Sequence, residues 1–571
     1  MRSMEIAHAW KRELQERCYI TCEGEHFIPL NELRELWNDE RLVRFFSTIW
    51  ADQNIECEPC RLITGIREYP KDGTLQLISI LIWSLYPAWH HFHDVYCPIF
   101  LQDPDHWPFY WTLGLPHNAL FDKEVAPRKI LWNIDEAALD MSSHSREWFI
   151  KKFYEAQYIF TPLCLQEGGL DNLREKRVVL PLLWRDDEIK GKGAAGTVID
   201  VFIPEYSLQT RDDHKKYIVS LEQHNFGGSS SRFHKVACKR IDSRRKASLQ
   251  MGELELKNLD LIRRRHLHHL NIAQSIAAIS TTLPSQIFIL FELAICDLEF
   301  FIQRQGAVGI GPLSCIPLLE QMYWLCDALL FIHESLGRHV DATKSNMAFC
   351  HLDIKPANIL IYKSEEIPRY ARDVGTWKMT DFGIAGENEL RPISKRGGNT
   401  TWTLTDSHHM TGMFSAPEHF HPEMKVGRSA DVWSLGCVMF LVTMLGYAPN
   451  TLEKMYRKDD GGLMARSTND TSNATNDRFY RLSDHSDEPL SGERNPHVTA
   501  WLQKAEKECQ GKCDEPLFGL IRDEMLCKDP RKRVEMSGVL ARLHPILKDL
   551  RQEDHGITTK RFNSRWEIGP F

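Results

Sequence analysis

The run DVWSLGCVMFLVTML (431–445) is apolar all round. A helix with no polar face has to be buried on every side, so the chain must build a domain thick enough to enclose it. The material is there. The chain has 571 residues, 43% hydrophobic and 26% charged, the balance of a globular protein with a sizeable core. At roughly 100–200 residues per domain, this length covers several. A second apolar run, LISILIWSLYPAW (77–89), falls short of the ~20 residues a membrane helix needs and is interrupted by Pro87. It reads as another buried helix, and no membrane partner is expected.

Charge narrows the function classes further. A net charge of −8 gives no whole-chain reason to expect nucleic acid, and the basic run RRRHLHH (263–269) reads as a solvated helix face. MRSMEIAHAWKRELQERC carries charges throughout and lacks the apolar core of a secretory signal. The fifteen cysteines are odd in number and scattered. They read as reduced thiols, which predicts an intracellular protein, cytoplasmic or nuclear. Cys18 with Cys22 and Cys57 with Cys60 could offer four zinc ligands, but without the usual finger spacing no zinc is expected.

Residues 1–180 are rich in Trp, Phe and His, with helical periodicity in LNELRELWNDERLVRFFSTIW (30–50). They read as a helical regulatory or interaction region. From about Leu180 the texture changes. EIKGKGAAGTVIDVFIP (188–204) suggests a hairpin across a glycine turn, and RFHKVACKRID (232–242) and IFILFEL (287–293) read as strands. From Ile316, apolar residues recur at Leu319, Met322, Leu325, Leu329 and Ile332, one face of a helix. The segment 458–497 is dense in Ser, Asn, Asp and Gly, so it reads as a disordered insertion.

Five stretches carry chemistry. GKGAAGTV (191–198) places glycines where backbone N–H groups can approach phosphate oxygens. It lies between strands with no helix after it, which excludes a Rossmann or Walker setting. VACK ends an apolar strand at Lys239. In the following helix, Glu255 shares a face with Leu259 and Ile262, whereas the rival Asp260 neighbours Arg263 and Arg264 on a solvent face. CHLDIKPANIL (350–360) gathers His351, Asp353, Lys355 and Asn358, a mixture of carboxylate, ammonium and amide suited to phosphate. TDFG (380–383) and SAPE (415–418) follow.

Taken together, and with DVWSLG (431–436) and DPRKR (529–533), these stretches closely resemble the protein kinase superfamily over roughly 185–549. The resemblance implies an α+β, bilobal protein kinase fold with a β-rich N-lobe (185–294) and a helical C-lobe (295–549). A mainly helical region (1–180) precedes it and a tail (550–571) follows. The N-terminal extension resembles those of kinases from filamentous fungi. The implied activity is serine/threonine protein kinase, with ATP and Mg²⁺ as cofactors and Ser/Thr hydroxyls of proteins as acceptors. Gly191, Lys192, Gly193 and Gly196 would cover the ATP phosphates, and Lys239 would hold the α- and β-phosphates and pair with Glu255. Asp353 would accept the hydroxyl proton, Lys355 would neutralise the γ-phosphate, and Asn358 and Asp381 would bind Mg²⁺. Phe291 would be the gatekeeper, and the backbone of Glu292 and Ala294 would bond the adenine edge. Asp297 would reach the ribose, and Val198, Ala237 and Leu360 would sandwich the ring. Glu418 should pair with Arg533 in a structural contact, and Thr411 matches the family's threonine that touches Asp353 and Lys355.

Two further readings go with the resemblance. A regulatory partner would dock at residues 1–180, and the alternative to an active enzyme is a pseudokinase scaffold. Lys239, Asp353 and Asp381, the residues pseudokinases lose, are all present. One departure stands out: Leu352 occupies the position where most members carry an arginine that reads out activation-loop phosphorylation.

Overall fold

The computed structural model describes residues 2–21, 23–53, 71–86, 89, 143–173, 178–185, 189–193, 196–210, 218–220, 226–228, 232–242, 246–264, 269–282, 285–307, 315–336, 347–363, 374–392, 401–403, 412–420, 426–456, 479–481, 493–508 and 514–554. The chain divides into two units, Met1–Leu249 with Ser275–Leu293, and Gln250–Gln274 with Ala294–Phe571. The first is rich in strands and the second in helices, as the resemblance implies.

In the first unit, helices α1 (Arg2–Glu16), α2 (Leu30–Leu36), α3 (Asp39–Gln53), α4 (Lys71–Trp83) and α5 (Ser143–Phe160) enclose an aromatic core. Trp10 stacks on Trp37 at 4.7 Å, and Phe45 meets both rings edge-on. The apolar run expected to be a buried helix is α4, with Ile78, Ile80, Leu81 and Ile82 all fully buried. A short antiparallel pair, β1 (Tyr19–Ile20) and β2 (His26–Phe27), follows α1. Of the four cysteines weighed for zinc, Cys18 is buried and contacts His26 Nδ1 at 3.5 Å. The other three lie outside the described residues.

The strands that follow are β3 (Leu165–Gln166), β4 (Gly169–Leu173), β5 (Ile189–Gly193), β6 (Gly196–Pro204), β7 (Leu208–Gln209), β8 (Ile218–Ser220), β9 (Arg232–Asp242), β10 (Ser275–Thr282) and β11 (Ser285–Phe291). Seven of them form one sheet in the order β4-β10-β11-β9-β6-β5, with β8 also paired to β9. The expected hairpin is β5–β6, closing at Gly193↔Gly196. Gly196 has φ +155, and a Cβ there would lie 2.5 Å from Arg240 O, so only glycine fits.

Strand β4 joins the sheet in parallel with β10, and this crosses the boundary expected near residue 180. The cores cross it too. Leu165 and Leu173 pack with Ile199, Val201, Val236 and Cys238 in one cluster. Tyr19, Phe27 and Tyr158 pack with Phe202, Phe226 and Phe233 in another. A glycine turn seals the second cluster. Gly227 and Gly228 both have φ +74, Gly228 N donates to Cys18 O at 3.0 Å, and a Cβ at 228 would run into the Tyr19 ring. The described residues around Tyr19, Phe27, Tyr158 and 165–173 are therefore built into the strand-rich unit.

The second unit opens with most of α6 (Lys246–Arg264), then β12 (Cys296–Asp297), α7 (Leu298–Ala307) and α8 (Cys315–Phe331). Next come β13 (Met347–Cys350), β14 (Ile359–Tyr362), β15 (Thr376–Met379), β16 (Gly386–Pro392) and β17 (Thr401–Thr403). Helix α9 (Arg428–Tyr447) is the predicted central helix, with every residue from Ala430 to Leu445 buried. Two helical segments, Cys315–Glu334 and Arg428–Tyr447, are long and apolar enough to cross a membrane, but 61% and 94% of their apolar windows are buried inside the fold.

After α10 (Pro449–Tyr456), the segment expected to be disordered contains order. Strands β18 (Tyr480–Arg481) and β19 (Glu493–Arg494) pair antiparallel, and Phe479 and Tyr480 are fully buried. Phe479 meets Phe440 of α9 edge-on at 5.6 Å, and Tyr480 meets Trp433 at 6.3 Å. The expectation for 458–497 is corrected at these residues, because two aromatics reach the central helix from a polar surround. Helices α11 (Pro496–Glu508), α12 (Asp514–Gly519) and α13 (Met536–Asp554) complete the unit.

The expected Glu418–Arg533 contact forms deep in this unit. It is bidentate at 2.7 and 3.1 Å, with both side chains fully buried. Arg533 also donates to Cys527 O and Ser429 O and lies over the Trp433 ring. Removing one partner of such a pair costs about 3–5 kcal/mol, since the other charge is left buried.

Candidate active site

The loop 351–358 is shaped by a carboxylate from α9. Asp431 Oδ2 accepts from His351 N at 2.9 Å and Oδ1 from Leu352 N at 2.7 Å. His333, in the π turn Ile332–Leu336 that ends α8, completes the set with Nε2 at 2.9 Å from Asp431 Oδ2. Burial works against the charge of Asp431, but the His333 hydrogen bond and the nearby His351 hold its carboxyl below the ordinary carboxylate range. Burial lowers the His333 pKa, against the pull of Asp431. Neither His333 nor Asp431 was marked as a site residue from sequence. They stand 98 positions apart, and no local spacing links them.

This anchoring lets Leu352 adopt φ +67, a conformation that costs a non-glycine residue about 1–2 kcal/mol. The chain reverses there and presents Asp353. Lys355 Nζ donates to Asp353 Oδ2 at 2.8 Å. Asn358 Nδ2 donates both to Asp353 O and to Asp353 Oδ2, each at 2.8 Å. Three of the predicted catalytic residues are thus brought together, and Asp353 keeps a partly exposed carboxylate.

Asn358 and Asp381 are held by one hairpin. Strands β14 and β15 pair with Ile359 opposite Met379, and Thr380 N donates to Asn358 O at 3.0 Å. Asp381 follows with φ +67, and its Oδ1 accepts from Gly383 N at 3.3 Å. Both amide hydrogens of Asn358 are spent on Asp353, leaving Oδ1 as an oxygen donor. An amide oxygen and a carboxylate are the hard oxygen donors that fit a cation such as Mg²⁺, whose other ligands are water and phosphate.

Helix α6 turns its inner face to the same turn. Glu255 is 1% exposed, and a Cβ at Gly383 would come 3.7 Å from its Oε2. Asp260 pairs instead with Arg263. Asn258, which the sequence reading passed over, donates from Nδ2 to Phe382 O at 2.9 Å and to Ala385 O at 2.7 Å. The Phe382 ring is buried against His351, with ring centroids 4.9 Å apart.

In the strand-rich unit, Val198 lies directly opposite Lys239, and Ala237 lies opposite Phe291. Directly paired residues, and residues two apart on one strand, share a face of the sheet. Val198, Ala237, Lys239 and Phe291 therefore stand on one face, while Ile199, Cys238 and Leu290 fill the core on the other. Gly191, Lys192 and Gly193 lie on β5 and Gly196 opens β6. Glu292 follows β11 and Ala294 begins the next stretch of the second unit. Asp297 accepts from Phe300 N at 2.7 Å and so caps α7. Leu360 is a half-buried residue of β14. Thr411 lies outside the described residues.

A model of the protein kinase domain matches residues 228–544, more than half of the chain. The chain belongs to the protein kinase family. The match begins beyond the glycine hairpin, which stands 43 residues before Lys239 if counted from Gly196. Strands β7 and β8 occupy part of that interval. Curated relatives are consistent with the family. The chain is 33% identical over 128 residues to serine/threonine-protein kinase chk-2 of Caenorhabditis elegans, covering 22% of this chain and 20% of that protein. It is 26% identical over 214 residues to serine/threonine-protein kinase fused of Drosophila melanogaster, covering 38% and 21%. It is 28% identical over 168 residues to dual specificity protein kinase Ttk of Danio rerio, covering 28% and 13%. The aligned part thus spans about a fifth or less of each of these relatives.

Proposed function

We propose that this protein kinase is a serine/threonine kinase that transfers the γ-phosphoryl group of ATP to Ser or Thr hydroxyls of proteins. The observation that carries the reading is the closed set on Asp353, whose Oδ2 is held at 2.8 Å by both Lys355 and Asn358. In this reading the acceptor oxygen forms a bond to the γ-phosphorus as the bond to the β-phosphate bridging oxygen breaks. ADP leaves, and the hydroxyl proton passes to the Asp353 carboxylate. Lys355 balances charge on the transferring group, because the transition state spreads charge over phosphate oxygens that fixed cations stabilise.

Asn358 and Asp381 would hold Mg²⁺, which neutralises phosphate charge when bound. Gly191, Lys192, Gly193 and Gly196 would cover the phosphates and Lys239 would bind them. Phe291, the backbone of Glu292 and Ala294, and Asp297 would take the nucleoside, with Val198, Ala237 and Leu360 against the ring.

The test is phosphotransfer from radiolabelled ATP to a generic protein substrate, with phosphoamino-acid analysis. Wild type should yield phosphoserine or phosphothreonine. Asp353→Asn should still bind ATP but lose about 10²–10⁴ in rate, the usual worth of a positioned base. Wild-type protein that binds ATP and transfers nothing would replace this reading with the pseudokinase scaffold.

A further inference from the structure

We propose that Asn258 is a positioning residue: its amide ties α6 to the turn 381–385 and so fixes the carboxylate of Asp381. The proposal rests on the kinase reading for its activity readout and on geometry for the rest. Glu255, Asn258, Leu259 and Ile262 follow one another at the +3, +4 and +7 spacing of one helix face, and all four are buried. The two apolar positions, Leu259 and Ile262, are ordinary on such a face. A buried primary amide is not, since burying it without partners is costly.

Here the partners are specific. Both neighbours of Nδ2 are carbonyl oxygens, Phe382 O and Ala385 O. The surroundings therefore demand the NH₂ end of the amide, and no flipped assignment would satisfy them. The two carbonyls bracket a tight turn, closed by the 3.3 Å bond from Ala385 N to Phe382 O. Asp381 enters this turn with φ +67, a conformation a non-glycine residue holds only when its surroundings enforce it. Asn258 grips the exit of the turn, and the Asn358–Thr380 bond grips its entrance.

The chemistry predicts an ordering of variants. Asn258→Leu removes both donors. Asn258→Asp keeps the shape but aims a carboxylate at two carbonyl oxygens, with Glu255 already on the same face. Acid should reverse part of that second defect, because a protonated carboxyl regains one donor.

The experiment compares wild type, N258D and N258L for the Mg²⁺ concentration giving half-maximal activity, for the split between kcat and KM for ATP, and for hydrogen exchange of backbone amides 382–386. At about pH 8 both variants should need several-fold more Mg²⁺, and N258D should lose about tenfold or more in kcat. Lowering the pH to about 6 should recover N258D relative to N258L. Exchange at 382–386 should rise several-fold in both variants, with α9 unchanged. A lower melting temperature with unchanged Mg²⁺ half-saturation and unchanged exchange would overturn the proposal, leaving Asn258 a packing residue. If wild type transfers no phosphate, the kinase reading fails, and the exchange measurement alone decides this one. Should either variant be insoluble, Asn258→Ser, which retains one donor, gives the same exchange test.

Discussion

The described parts of 350–385 and of 1–173 are both well packed, but they reach order by different routes. In the first, polar groups close on one another over short stretches of chain: Lys355 and Asn358 on Asp353, Thr380 on Asn358, Gly383 on Asp381. In the second, rings meet across long separations, with Tyr19 packed on Phe233 and Leu173 sharing a core with Val236. Short-range polar chemistry demands particular residues at particular spacings. Long-range apolar packing accepts any sequence of suitable volume and pattern. The first kind of order can be read as a motif, and the second cannot.

The sharpest way to break this comparison is to remove the unmarked region. A chain beginning at residue 185 keeps every motif, but it strips Tyr19, Phe27, Tyr158, Leu165 and Leu173 from two cores and leaves β10 an open sheet edge. Open edges and exposed apolar faces promote aggregation. The expected result is loss of soluble protein, scored by yield and by circular dichroism. A soluble, cooperatively melting product would show that residues 1–173 are a separable module after all.

The same contrast explains what could be read from sequence. The hairpin at 188–204, the strand at 232–242 and the central helix each announce themselves within one window. Asp353, Lys355 and Asn358 meet within one short turn, and the pairing of β14 with β15 sets Met379 opposite Ile359, two residues before Asp381. What was missed lies at long range. Strand β4 pairs with a partner about a hundred residues on, and His333 finds Asp431 through the fold alone. Composition misled at 458–497, because averaging over a polar segment hid Phe479 and Tyr480.

That segment gives the next prediction. Excising 460–492 should destabilise the helical unit, since it removes two fully buried aromatics from α9. A single Phe479→Ala change should cost about 3–5 kcal/mol. Shortening only 482–492 should change little, as it removes neither aromatic and halving a connection's length is worth only about 0.6 kcal/mol. Thermal melts of the three variants check the order. Equal melting temperatures for all three would mean that Phe479 and Tyr480 add nothing to the core.

A smaller effect should follow acid. His234 in the strand-rich unit, and His333 and His419 in the helical unit, are all held below the ordinary histidine range, chiefly by burial. A group with a lowered folded pKa binds fewer protons folded than unfolded between the two values. Its contribution is therefore complete above the ordinary value of about 6.5 and declines as pH falls toward the folded pKa. Melting temperature should drop between about pH 7 and about pH 5.5, before the carboxylates titrate near 4. Hydrogen exchange should find the helical unit the more sensitive, with two of the three histidines. A flat melting profile over that range would contradict the prediction.

The smallest expected effect concerns Leu352. An arginine at this position could bond a phosphate on the loop, a task that needs a planar cationic fork, and leucine offers neither charge nor donor. Leu352 is instead 8% exposed, and its amide N–H is spent on Asp431. The start of the segment after Asp381 has another hold. Strand β16 pairs with β13 over four residues, Met347↔Glu389 to Cys350↔Gly386, and β17 pairs with β16 in turn. A backbone ladder needs no phosphate to form. Phosphatase treatment should therefore leave activity within about twofold, as should alanine at Thr400, Thr401, Thr403, Thr405 or Ser407, because the proposed roles of Lys355 on the transferring group and of Asp353 on the acceptor hydroxyl do not pass through residue 352. Leu352→Arg should make the enzyme newly responsive to a phosphate on this segment. A tenfold fall on dephosphorylation of the unaltered chain, reproduced by one of the five substitutions, would mean that another cation does the work this position has given up.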